Sequence, residues 1–158
     1  AQIEISNVHK ISNEYVGDIK VKYSKLKPIN ISGEIIPSLI DELPILFIAC
    51  SAASGVSKIS GIEELRYKES DRIKAMENGL KAIGIKVSST QDSIEITGGK
   101  IIGGKIDSYD DHRIAMSFAV AGLISETSLI IMNTKNIATS FPNFITTLKD
   151  LGGEVYEI

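Results

Sequence analysis

Cysteine is almost absent from this 158-residue chain: Cys50 is the single thiol, so no disulfide can form within it, and the expected compartment is the cytoplasm. Cys50 sits in an apolar stretch with no neighbouring cation to stabilise a thiolate, and it reads as a small buried hydrophobe. Only two histidines, His9 and His112, accompany it, which excludes a recognisable zinc motif. Long hydrophobic runs are missing as well. The longest, Leu43 to Cys50, is far too short to cross a bilayer, so no membrane partner is expected. Positive charge is not in excess: 17 Lys and Arg against 20 Asp and Glu give a net charge of −3. That excludes a general attraction for nucleic acid and confines any anion site to a local basic cluster. What is present, 43% hydrophobic and 23% charged residues, is ordinary for a globular chain with one core.

The sequence opens at Ala1, without an initiator methionine, and runs at once into the strand-like Gln-Ile-Glu-Ile-Ser, which leads us to expect a piece of a longer protein. Alternation at Ile3 and Ile5, then at Ile19, Val21 and Tyr23, predicts two strands joined by a polar loop, with a short strand at Ile29 and Ile31. The apolar run from Ile40 to Ala53 predicts a buried helix, since Pro44 is tolerated in a first turn, and Val56–Ser60 alternates like a strand. A second helix is expected from a Ser70 cap through Ile73, Met76, Leu80 and Ile83 to a stop at Gly84. Strands at 85–87 and 94–96 follow. The order then recurs: a buried helix at 114–124 entered from Asp110 and Asp111, and a strand at 129–132. An amphipathic helix then carries Phe141, Phe144, Leu148 and Leu151 between Ser140 and Gly152, and a last strand begins at Val155. The segment Leu80–Val87 aligns with Leu148–Val155 at four identical positions of eight. Strands alternating with helices predict an α/β layer fold.

Charge gathers where helices begin. Acidic residues precede both apolar helices, Asp41 and Glu42 in one case and Asp110 and Asp111 in the other. The densest cluster, Arg66 to Arg72, opens the amphipathic helix between them. Helix N-termini expose unpaired N–H groups and suit anionic ligands, and Lys68, Arg72 and Arg113 would lie at such ends. The aspartates read equally as dipole-complementing caps, Asp71 above all, and the basic residues as an exposed ion-pair network. Gly98 to Gly104 lacks the order and the Lys-Ser/Thr partner of a phosphate loop and reads as turns at strand ends.

Four stretches carry a resemblance: Ile36-Pro-Ser-Leu-Ile-Asp-Glu-Leu-Pro44, Glu63-Glu-Leu-Arg-Tyr-Lys-Glu-Ser-Asp-Arg72, Asp111-His-Arg-Ile-Ala-Met-Ser-Phe118 and Ile137-Ala-Thr-Ser-Phe-Pro142. In order and separation they resemble the C-terminal portion of the 5-enolpyruvylshikimate-3-phosphate (EPSP) synthase family. The resemblance implies an inside-out α/β architecture built from repeated βαβαββ units, with about two units present. On that view residues 1–34 are trailing strands of a preceding unit, 35–104 a first unit and 105–158 a second, together part of one domain of a two-domain enzyme.

The resemblance further implies transfer of the enolpyruvyl group of phosphoenolpyruvate to shikimate 3-phosphate, with no metal or organic cofactor. The 5-hydroxyl adds to C2 while C3 is protonated, and the intermediate then expels phosphate and loses the C3 proton. Asp41 matches the acid/base aspartate that also touches the shikimate hydroxyls, and Glu69 the glutamate that exchanges the C3 proton. Lys68 matches a lysine on the shikimate side. Arg72 and Arg113 match the arginines that grip the phosphoenolpyruvate carboxylate, and His112 a position beside Arg113 that orders it. Thr139 stands where some members carry lysine, which bears on one phosphate contact and on sensitivity to phosphoenolpyruvate mimics. The rest of such a site comes from an N-terminal domain that is a required partner, so the chain alone is expected to be inactive. Two rivals are an enolpyruvyl transferase acting on UDP-N-acetylglucosamine and a non-catalytic module of the same fold.

Overall fold

The computed structural model describes residues 1–156. Strands β1 (Gln2–Ile11) and β2 (Glu14–Lys22) form an antiparallel hairpin, with Ile3 opposite Val21 and Ile5 opposite Ile19. The strands run closer together than the alternation alone suggests, because Ser12 and Asn13 both adopt positive φ, 48° and 70°, and close a two-residue turn. Every residue of both strands is exposed, on either face of the ribbon.

The next elements succeed one another as β-α-β-α-β-β. They are β3 (Asn30–Ile31), the helices α1 (Ile36–Leu39) and α2 (Leu43–Ser51), β4 (Val56–Ser60), α3 (Arg72–Ala82), β5 (Lys86–Ser89) and β6 (Ser93–Thr97). Their sheet has the order β3-β4-β6-β5, with β3 parallel to β4 and both other pairings antiparallel. A second, two-stranded parallel sheet pairs β7 (Gly104–Asp107) with β8 (Leu129–Met132), joined by α4 (His112–Gly122). Two short helices, α5 (Ile137–Ser140) and α6 (Phe144–Asp150), follow. The expected α/β class is borne out.

The core gathers between the first sheet and helices α2, α3 and α4, around the fully buried Leu43, Phe47, Ile59, Ile73, Met76, Leu80 and Phe118. Alternation sets the sheet's inner face, with Ile59, Val87, Ile94 and Ile96 buried and their neighbours turned outward. The helices approach closely where Gly79 meets Phe118: a Cβ built at Gly79 would lie 2.2 Å from the ring's Cζ. Gly79→Ala is therefore expected to cost stability by overpacking, about 1–3 kcal/mol, against a gain of roughly 1 kcal/mol in helix propensity. Denaturant melts of Gly79→Ala, alone and with Phe118→Leu to relieve the clash, check it. A lone variant more stable than the parent by about 1 kcal/mol would show that the ring moves aside at no cost.

Several boundaries differ from expectation. The helix expected from Ile40 to Ala53 spans only Leu43–Ser51, with Pro44 at its second position, and a separate short helix, α1, precedes it. The cap of α3 is Asp71, whose carboxylate accepts from Lys74 N–H at 2.9 Å; Ser70 is turned elsewhere. Helix α4 ends at Gly122 rather than Ile124. Pro142 separates α5 from α6, leaving Phe141 and Leu151 43% and 76% exposed and moving the start from Ser140 to Asn143. No strand begins at Val155 among the described residues, and the rest of that expected strand, 157–158, lies outside them.

The recurrent octapeptide has a structural cause. In α3, Ile85 N–H donates to Leu80 O and Gly84 N–H to Lys81 O; in α6, Gly153 N–H donates to Leu148 O and Gly152 N–H to Lys149 O. Both are the paired C-terminal bonds of a helix ended by a left-handed residue, and Gly84 and Gly152 supply it at φ 88° and 92°.

Candidate active site

Helices α2, α3 and α4 begin at one place. Arg72 is the first residue of α3 and 1% exposed. Its Nε donates to Asp111 Oδ2 at 2.8 Å, one terminal nitrogen to Asp41 Oδ1 at 3.1 Å and the other to Glu69 Oε2 at 2.5 Å. Asp41 lies just before α2 and Asp111 caps α4, so a single guanidinium ties three helix starts together. Arg113, in the first turn of α4, donates to the Asp41 carbonyl at 2.8 Å and stands 3.7 Å from its carboxylate and 3.6 Å from that of Glu42.

Two of the carboxylates on Arg72 differ from the third in their access to water. The side chains of Asp41 and Glu69 are 45% and 54% exposed, whereas Asp111 is wholly buried. Asp111 Oδ1 accepts from Arg113 N–H at 2.9 Å and Ile114 N–H at 3.4 Å, and Oδ2 accepts from the Ser70 hydroxyl at 3.0 Å besides Arg72. Burial alone would raise the Asp111 pKa; the bond and charge of Arg72, with Ser70 and the Arg113 N–H, more than offset it and hold the carboxyl below its usual range. For Arg72 burial likewise acts to lower the pKa and is outweighed by Asp111, Glu69 and Asp41, so the guanidinium stays charged.

A pH dependence follows. A depressed carboxyl contributes stability that is complete above its unfolded pKa, about 3.9, and is lost as pH falls through the lower folded value. The chain is thus expected to lose stability below about pH 4, and Asp111→Asn to flatten that acid limb. Thermal melts between pH 2.5 and 6 check it, and an acid limb unchanged in the variant would assign the loss to other groups.

Of the residues expected from the sequence, Asp41, Glu69, Arg72 and Arg113 are brought together. Lys68 instead donates to Glu64 at 2.5 Å, one helical turn back. His112 is half-buried at the start of α4, and its ring makes no hydrogen bond among the described residues. Arg66, from the same dense cluster, is structural: it donates to Asp71 and to the Gln91 and Thr90 carbonyls, fastening the approach of α3 to the β5–β6 turn. Thr139 donates to Asn136 O at 2.8 Å. Asp111 and Ser70 also belong to the cluster, though the sequence presents them only as caps. No signal in the sequence sets Asp111 apart, since a capping aspartate and an ion-pair partner look alike there and Asp111 is both. Among the described residues no group of three or more His, Cys, Asp or Glu is placed to hold a metal ion, and no helix is long and apolar enough to cross a membrane.

An arginine shared among carboxylates at converging helix starts can exchange one of them for an incoming anion, and the displaced carboxylate can then move protons. Comparison with known proteins shows the family to which the chain belongs. Residues 3–148 match the family model for EPSP synthase (3-phosphoshikimate 1-carboxyvinyltransferase). The 3-phosphoshikimate 1-carboxyvinyltransferase of Legionella pneumophila (strain Paris) is 45% identical over 157 residues, 99% of this chain and 36% of that protein. The enzyme of the same name from Zymomonas mobilis is 49% identical over 97% of this chain and 35% of its own length. The solved EPSP synthase of Acinetobacter baumannii superposes with a TM-score of 0.89 at 41% identity, over 94% of this chain and 35% of that one. The chain thus spans about a third of the length of its relatives, and over that span it belongs to the EPSP synthase family.

Proposed function

We propose that the chain is the C-terminal part of an enzyme that transfers the enolpyruvyl group of phosphoenolpyruvate to shikimate 3-phosphate and releases phosphate. One observation carries the reading: Asp41, Glu69, Arg72 and Arg113, chosen from sequence, meet at a single point where three helices start. Arg72 and Arg113 bind the phosphoenolpyruvate carboxylate, for which a planar guanidinium offers paired donors. Glu69, half-exposed and released from Arg72 by that carboxylate, takes up a proton from water, gives it to C3 as the 5-hydroxyl oxygen bonds to C2, and takes the C3 proton back as the C2–O bond to phosphate breaks. Asp41 removes the proton from the attacking 5-hydroxyl. In this reading Lys68, once released from Glu64, serves the shikimate side, and His112, next to Arg113 in sequence, orders it. The remaining contacts belong to a second domain outside this chain, so the chain alone turns nothing over. A cytoplasmic place in the supply of aromatic amino acids belongs to the same reading.

The test is phosphate release from phosphoenolpyruvate, with and without shikimate 3-phosphate, by this segment joined to the N-terminal two thirds of such an enzyme. Release that requires shikimate 3-phosphate supports the proposal. Release with UDP-N-acetylglucosamine instead would reassign the acceptor, and a folded protein inert to both would leave the cluster a structural clamp.

A further inference from the structure

We propose that Asp111 and Ser70 are positioning residues, which set the guanidinium of Arg72 and the start of α4 in one fixed relation so that Arg72 and Arg113 present their donors to the same carboxylate. The inference rests on the function proposed above. Asp111 has all its near acceptor positions in use. One oxygen holds the backbone at Arg113 and Ile114, the other holds Ser70 and the inner edge of Arg72. Because Nε is tied to the buried carboxylate, the outer nitrogens of Arg72 face the half-exposed Asp41 and Glu69, which is the side a ligand would enter.

Ser70 makes the same point from the other side. It stands one residue before the cap of α3, where its hydroxyl could serve the helix, yet it is spent on Asp111 across 41 residues of chain. The approach to Asp111 is strained as well. Tyr109 and Asp110, neither of them glycine, are both left-handed, at φ 55° and 57°. The turn is held by Asp107, which accepts from Tyr109 N–H at 2.7 Å and from the Asn133 amide at 2.8 Å, and by Asn136, which donates to Asp110 O. Strain kept in place by several side chains marks a geometry that matters more than its local cost.

The experiment uses the full-length enzyme bearing Ser70→Ala, Ser70→Thr or Asp111→Asn. The expected result is a KM for phosphoenolpyruvate raised about tenfold in Ser70→Ala and more in Asp111→Asn, the loss of one and of several bonds around a charge. The KM for shikimate 3-phosphate should move less than about twofold, and Ser70→Thr, which keeps the hydroxyl, should restore the parent value. In the parent, the Arg72 Nε–H should give a slowly exchanging NMR signal that Asp111→Asn abolishes. Unchanged KM for phosphoenolpyruvate in the folded variants, equal rises for both substrates, or a persistent Arg72 signal would overturn the inference. If Asp111→Asn does not fold, the two Ser70 variants decide. A parent enzyme that releases no phosphate would overturn the proposed function instead, and the Arg72 signal would still decide the positioning.

Discussion

Replacing Arg72 with alanine is expected to destabilise the chain by about 3–5 kcal/mol, the cost of breaking a buried ion pair from one side. The three carboxylates it holds would not suffer equally. Asp41 and Glu69 are about half-exposed and can turn to water. Asp111 is wholly buried and would keep only Ser70 and two backbone N–H groups around its charge. Arg72→Lys should recover only part of the loss, since a point charge cannot serve three acceptors set around a planar fork. Arg72→Leu combined with Asp111→Asn should be more stable than either Arg72 variant, because the stranded charge is gone while the oxygen that caps α4 remains. Urea titrations of the four proteins provide the measurement. A loss below about 1 kcal/mol in Arg72→Ala would mean that water reaches Asp111 once the guanidinium is removed.

Glu69→Gln in the complete enzyme is expected to lower turnover by about 10²–10⁴, the usual worth of a positioned acid or base. Its effect on phosphoenolpyruvate binding should have the opposite sign. Arg72 and Arg113 face four carboxylates, those of Asp41, Glu42, Glu69 and Asp111, so the incoming carboxylate meets a cluster already supplied with negative charge. Glu69 holds a terminal nitrogen of Arg72 at 2.5 Å from an exposed position, which makes it the partner most easily exchanged. A neutral glutamine competes less, so KM for phosphoenolpyruvate should fall together with kcat. Steady-state kinetics with calorimetric binding of phosphoenolpyruvate check both halves. A KM that rises with the loss of kcat would show that Glu69 orients Arg72 rather than competing for it. Asp41→Asn should lower kcat in the same way yet leave Arg113 in place, since Arg113 is held by the backbone carbonyl.

Much of this was legible in the residues, for reasons that can be named. The strands of the first sheet follow from alternation, because each has one face on the core. The ends of α3 and α6 follow from Gly84 and Gly152, because few residues other than glycine accept their φ. The strand β7 is not legible: with Gly103 before it, Gly104 as its first residue and only Lys105, Ile106 and Asp107 behind, it offers one buried side chain, Ile106, and no alternation to count. The hairpin turn was hidden because Ser12 and Asn13 do not announce a left-handed pair as Asn-Gly would. In the site, motif and charge brought out Asp41, Glu69, Arg72 and Arg113. The division of labour among the aspartates was out of reach, since a cap and an ion-pair partner look alike in sequence and Asp111 is both.

The reach of the bonds on Arg72 and Arg113 has a consequence for how the protein is made. Asp111 lies 39 residues beyond Arg72, and Arg113 lies 72 beyond the Asp41 carbonyl it holds. During synthesis, at about 5–20 residues per second, Arg72 leaves the ribosome roughly 2–8 s before the buried carboxylate meant for it. In that interval Asp41 and Glu69, both already made, are its available partners. Of the three carboxylates that Arg72 holds in the finished protein, the buried one is thus the last to be made, and the arrangement around it waits for α4.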